Sequence, residues 1–193
     1  MSTCEVRKSC ARISPSELVM NHDDNRPDTY LIIGTGLIGT SIGLGLTALG
    51  ERVWLSDADP DALEMAVERG AGKAVLEVVQ PAPDVVFVAV PPLKAAAVIC
   101  DALTTYVDAT VSDVVSTKAK LVQEVKESGS DMSRYVPGHP MAGRELSGPG
   151  AARADLFADR IWALTPTGET DQDRTAEVAS YLGRLGSTVV LTT

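Results

Sequence analysis

The stretch Tyr30-Leu-Ile-Ile-Gly34-Thr-Gly36-Leu-Ile-Gly39 decides the fold class of this chain. Its first four residues are apolar and β-prone, and the three glycines follow at G-x-G-x-x-G spacing. Helix-forming residues then continue to Leu49. A strand that passes through a glycine turn into a helix is expected. Gly34 makes the tight turn, Gly36 lets the backbone approach a pyrophosphate, and Gly39 lets the helix pack against the strand. The helix start at Leu37 and Ile38 would offer free N–H groups and the positive end of the helix dipole to phosphates. The same glycines could serve a tight turn with no ligand. The strand before them, the helix after them and an acid about 20 residues on favour the dinucleotide reading.

That acid is Asp57, at the end of a second strand, Arg52-Val-Trp-Leu-Ser56. A carboxylate there accepts hydrogen bonds from ribose hydroxyls and repels a 2'-phosphate, which favours NAD over NADP. Asp57 could instead simply open the turn Asp57-Ala-Asp-Pro60. Asp59 is a substitute for the ribose role, or the cap of a helix from Pro60 to Arg69.

Outward from this unit, strands and helices alternate. Strands are expected near Lys73 to Val75, at Asp84 to Val90, Thr110 to Asp113, Tyr135 to Pro137, Ile161 to Thr165 and Ser187 to Thr193. Helices are expected at Leu93 to Leu103, Lys118 to Lys126 and within Asp173 to Leu185. The run Asp84-Val-Val-Phe-Val-Ala-Val90 is apolar almost throughout, as in a strand covered on both faces. The pattern predicts an α/β fold: a doubly wound, Rossmann-type, mainly parallel sheet in a single domain spanning 29–193. Residues 1–28 have no sustained apolar period and are expected to form a flexible tail that adds little to the fold.

With 193 residues, 45 % of them hydrophobic, the chain can build one substantial core. A formal charge of −9 with no basic block disfavours nucleic acid as a partner. Cys4, Cys10 and Cys100 show neither a disulfide framework nor zinc-ligand spacing, so no metal is expected. Apolar runs fall well short of the roughly 20 residues of a membrane span, and the first residues lack a signal-peptide layout. These features predict a reduced, cytoplasmic setting without a membrane partner.

A dinucleotide fold names no substrate, so the chemistry must come from groups that could handle a proton beside a nicotinamide. The chain has two histidines, and His22 lies in the expected tail, leaving His139 for a folded site. An imidazole with an ordinary pKa of about 6.5 can accept a proton at neutral pH. It could equally bond a nearby carbonyl in a turn, but it follows a late strand, on the sheet edge where ligands of such folds bind. Ser116, in Ser112-Asp-Val-Val-Ser116-Thr-Lys118, lies at another strand end and could cap the following helix or contact a substrate.

The glycine loop, Asp113-Val-Val-Ser116-Thr-Lys118 and Gly138-His-Pro-Met-Ala-Gly143, with Glu145 and Ser147, together resemble the N-terminal domain of the prephenate dehydrogenase family. Arogenate and cyclohexadienyl dehydrogenases share the pattern. The resemblance covers residues 29–193. It implies an oxidoreductase of tyrosine biosynthesis that oxidatively decarboxylates prephenate to 4-hydroxyphenylpyruvate with NAD. It further implies that His139 takes the proton of the substrate's ring hydroxyl, that Ser116 hydrogen-bonds that hydroxyl and helps to orient the histidine, and that Glu145 lies in the substrate pocket.

The family also implies an all-helical second domain that makes the dimer and supplies an arginine for the substrate carboxylate. No match to either is found before the chain ends at Thr193. The expectation is therefore half a site: NAD binding, weak turnover, and a monomer unless an exposed apolar surface associates. Arogenate as substrate, and an NAD-binding module without catalysis, stand as alternatives. A dehydrogenase of the β-hydroxyacid or imine-reducing type would leave the Gly138-His-Pro-Met-Ala-Gly143 element unexplained.

Overall fold

The computed structural model describes residues 11–12, 28–76, 79–142 and 147–192. Its centre is a run of parallel strands whose residues alternate between two cores. In β2 (Thr29–Ile33), Tyr30 and Ile32 enter one core while Leu31 and Ile33 face the other, the period of two that a strand covered on both faces requires. Beside it lie β3 (Arg52–Ser56) and β5 (Val85–Val88). The sheet is completed by β4 (Lys73–Ala74), β6 (Thr110–Asp113) and β7 (Tyr135–Val136). The order is β4-β3-β2-β5-β6-β7, and every pairing is parallel.

Helices cover both faces. On one, α1 (Leu37–Ala48) and α2 (Pro60–Glu68) contribute Ile42, Leu46 and Ala66 to the core with Tyr30, Leu55 and Phe87. On the other, α3 (Pro92–Thr105) and α4 (Lys118–Glu127) bring Ile99, Leu103, Leu121 and Val125 against Leu31, Val86 and Val111. Each of the Leu, Ile, Val and Phe side chains contributes roughly 1.5–3 kcal/mol on burial. Asp59 caps α2 through hydrogen bonds to the N–H groups of Asp61 and Ala62, with Pro60 at the first helical position.

The later strands depart from the single sheet that alternation suggests. β8 (Gly138–Pro140), β9 (Ile161–Leu164) and β10 (Thr188–Leu191) form a second sheet with β1 (Ala11–Arg12), in the order β1-β10-β9-β8. The hand-off is at Pro137. It has no N–H to continue the ladder of β7, while its carbonyl accepts from Thr165 N–H at 2.9 Å, on the side of the second sheet. β8 then runs antiparallel to β9, placing His139 opposite Ala163. Ala11 and Arg12 pair antiparallel with Leu191 and Val190 of β10, and the rest of the expected tail, apart from Asp28, lies outside the described residues. α5 (Gln172–Arg184) packs on β6 and β7 of one sheet and on β9 and β10 of the other, joining the two.

Candidate functional site

A cleft of about 1400 Å³ opens at the C-terminal ends of the parallel strands. The glycine loop, Ser56 to Asp59, Ala89 to Pro92, Val114 to Ser116, His139 to Ala142 and Ser147 to Pro149 line it. Gly34, Gly36, Leu37, Ile38, Asp57, Ser116 and His139 therefore share one cavity. Glu145 lies outside the described residues.

The three glycines meet different surroundings. Gly34 has φ +102°, and a Cβ there would fall 2.5 Å from the Ala89 carbonyl oxygen. Gly39 is behind the loop, where a Cβ would fall 1.9 Å from the Gly34 carbonyl oxygen and 3.1 Å from Ala89 Cβ. At Gly36 a Cβ would meet no atom within 4 Å, so it would project into open space. Gly36 is also the N-cap of α1, with no side-chain cap and no acid in the first turn. The helix start is thus left for an anion, and the donor set suits a pyrophosphate.

Asp57 ties this loop to the end of β3. Its Oδ2 accepts from both the backbone N–H and the hydroxyl of Thr35, the latter at 2.9 Å, and its Oδ1 accepts from Asp59 N–H at 2.9 Å. Burial acts to raise the carboxyl, but the donors from Thr35, Asp59 and Ala58 outweigh it and hold Asp57 below its ordinary range. It is ionised at neutral pH and forms the acidic wall of the cleft beside Ala58 and Ala62.

At the other end, Ser116 is exposed in the turn between β6 and α4. It does not cap the helix: Thr117 occupies the N-cap position, and no side-chain cap bond forms there. Its hydroxyl remains available to a ligand. His139, half-buried in β8, makes no hydrogen bond to another side chain among the described residues, Ser116 included. Burial and the Lys118 charge push the imidazole below its ordinary value, against the opposite pull of Asp113. The ring is neutral at physiological pH and can accept a proton.

Beneath the histidine is a cluster that the sequence pattern leaves without a role. Asp113, wholly buried at the end of β6, pairs with Lys118 and accepts from Val115 N–H at 2.8 Å and from the Tyr135 hydroxyl at 2.7 Å. Gly138 fits tightly over it: a Cβ there would fall 3.0 Å from both the Asp113 carbonyl oxygen and Trp162 Nε1. The signal in the sequence was an acid ending a strand with a lysine five residues on. Among the described residues there is no metal-ligating cluster, and no helix is long and apolar enough to cross a membrane.

Residues 42–191 match the family described as prephenate dehydrogenase, nucleotide-binding domain. The probable prephenate dehydrogenase NovF of Streptomyces niveus is 41 % identical over 160 residues, covering 81 % of this chain and 44 % of that protein. The chain spans about half the length of the curated relatives it matches. Among solved structures, Synechocystis arogenate dehydrogenase superposes with a TM-score of 0.77 at 27 % identity, covering 86 % of this chain and 59 % of its own. The prephenate dehydrogenase from Aquifex aeolicus, in complex with hydroxyphenyl propionate and NAD+, gives 0.77 at 28 % identity, covering 86 % and 60 %.

Proposed function

The chain belongs to the prephenate dehydrogenase family through its nucleotide-binding domain, and from that premise we propose that residues 29–193 bind NAD and furnish the proton acceptor for oxidative decarboxylation of prephenate. The observation that carries this reading is the placement of His139 in the same cleft as the glycine loop.

Gly34, Gly36, Leu37 and Ile38 would hold the pyrophosphate, and Asp57 the adenosine ribose. When bound, NAD supplies the hydride acceptor. His139 accepts the proton of the ring hydroxyl as the carbon bearing it is oxidised, and Ser116 hydrogen-bonds the same hydroxyl. Loss of carbon dioxide makes the ring aromatic, so these residues mainly align and orient the reacting groups. Glu145 is proposed as a further pocket residue.

The likeness to arogenate dehydrogenase keeps arogenate as a second substrate. Lys94 is the one cationic side chain among the described residues lining the cleft, and it is exposed. Little in the described wall would hold a substrate carboxylate, which favours low turnover by residues 29–193 taken alone.

The test is formation of reduced nicotinamide from NAD with prephenate and with arogenate, in the chain and in the enzyme encoded with any following domain. Turnover lost in His139→Asn, with NAD binding retained, supports the reading. Full turnover in His139→Asn contradicts it. NAD binding with no turnover in either form would instead support a binding module.

A further inference from the structure

Arg69 closes α2 with a side chain that reaches far along the chain. It is the C-cap residue of that helix and is exposed, where an arginine is ordinarily just solvated. Here its guanidinium donates to two backbone carbonyls 81 and 83 residues on, from Nη1 to Gly150 at 3.1 Å and from Nη2 to Ala152 at 2.6 Å. The planar fork suits two acceptors on one short turn, Pro149–Ala151, and the residue behind it. Two further contacts fix the same segment. The Arg153 N–H donates to Ser41 Oγ of α1 at 3.1 Å, and that hydroxyl in turn donates to the Leu37 carbonyl at 2.7 Å. Gly150 also lies beside Met65 of α2, whose Sδ would be 3.6 Å from a Cβ placed there.

Residues 147–153 are thus strapped to both helices that flank the glycine loop. The leading residues of the strap, Ser147, Gly148 and Pro149, line the cleft together with Gly36, Leu37 and the Asp57 to Asp59 turn. Ala62, in the first turn of α2, lines the same cleft, so one helix supplies a wall at its start and the latch of another wall at its end. We propose that Arg69 is a positioning residue for the cofactor: it holds the strap across α1 and α2 so that Ser147 to Pro149 form a fixed wall, and it thereby slows release of bound NAD. This rests on the cleft being the NAD site. A wall ordered in advance costs less to order on binding, and most affinity differences between related complexes lie in dissociation.

The test is stopped-flow and calorimetric binding of NAD to the folded chain. Arg69→Met keeps an apolar stem and loses both donors. NAD should leave that variant at least about fivefold faster and bind it at least about fivefold more weakly, with little change in association rate. Arg69→Lys, whose ammonium can still serve a carbonyl, should fall between the two. Arg153→Met is the control on the same segment: its guanidinium pairs with Asp155, and its NAD constants should match the parent's. Unchanged NAD constants in a folded Arg69→Met chain overturn the proposal, even if its unfolding midpoint falls, because the contact would then be purely structural. An equal loss in Arg153→Met also overturns it, as a general effect of charge. Should Arg69→Met fail to fold, Arg69→Lys is read alone, and an unmoved dissociation rate there overturns the proposal. A parent chain that binds no NAD overturns the cofactor site as well, whereas a parent that binds and an Arg69→Met chain that matches it overturn the latch alone.

Discussion

Asp57 accepts both the backbone N–H and the hydroxyl of Thr35, so the acid that ends β3 also sets the conformation of the loop that ends β2. One carboxylate thereby serves the shape of the phosphate loop and the charge of the ribose wall. Asp57→Asn keeps the size and loses the charge. The expected result is a fall in NAD affinity of about tenfold to a hundredfold, from the loss of a charge-assisted bond of roughly 1.5–3 kcal/mol. Thr35→Val, which removes the hydroxyl donor alone, should cost about 0.5–1.5 kcal/mol of stability in urea unfolding. Because Asp57 is held below its ordinary range, its contribution is present above the unfolded carboxyl pKa and is lost as pH falls through the folded value. NAD affinity should therefore be insensitive to Asp57 titration near neutrality and decline only in acid.

The glycines separate fold from ligand. Gly39→Ala forces a methyl against the Gly34 carbonyl, and a loss of about 1–3 kcal/mol or more is expected from the overpacking. Gly36→Ala meets no protein atom, at φ −71°, which any residue adopts. Thermal unfolding should show Gly36→Ala within about 1 kcal/mol of the parent, and Gly39→Ala clearly below it.

His139 gives a pH signature. A proton acceptor must be neutral, and the ring is held below the ordinary imidazole value, so kcat/KM should fall on the acid side with a midpoint below about 6.5. The folded state also prefers the neutral ring, so its stabilising contribution is present above the unfolded value and lost as pH falls through the folded one. A pH–rate profile and a pH series of urea midpoints should decline in the same direction.

Tyr135→Phe removes a hydrogen bond to a buried carboxylate while leaving its packing. About 1.5–3 kcal/mol of destabilisation in urea unfolding is expected, with little change in NAD affinity, since Tyr135 does not line the cleft.

The parts legible in the sequence were those set by local chemistry. β3 and β6 have the bounds their apolar patterns imply, and the strand expected at Tyr30 to Ile33 and the helix expected from Leu37 to Leu49 are found at Thr29–Ile33 and Leu37–Ala48. What periodicity cannot report is which strands share a sheet. Ile161–Leu164 and Thr188–Leu191 read as further members of one sheet, and only the loss of the N–H at Pro137 marks where the chain changes sheets. Gly138–Pro140 went unread as a strand because a glycine and a proline flank its histidine, and tertiary pairing with β9 overrides that poor propensity. Asp113 is the other omission. A single acid gives no sign of burial, and its partners Lys118 and Tyr135 come from different elements that only the fold brings together.

Calorimetric titration of the folded chain with NAD and with NADP tests the central claim most directly, because it asks whether this cleft holds the dinucleotide that the Gly36 space and the Asp57 charge fit. The account predicts saturable NAD binding, weaker NADP binding, and loss of at least about tenfold in NAD affinity in Gly36→Ala despite an intact fold. No heat with NAD, equal affinity for the two nucleotides, or undiminished binding in Gly36→Ala would contradict it.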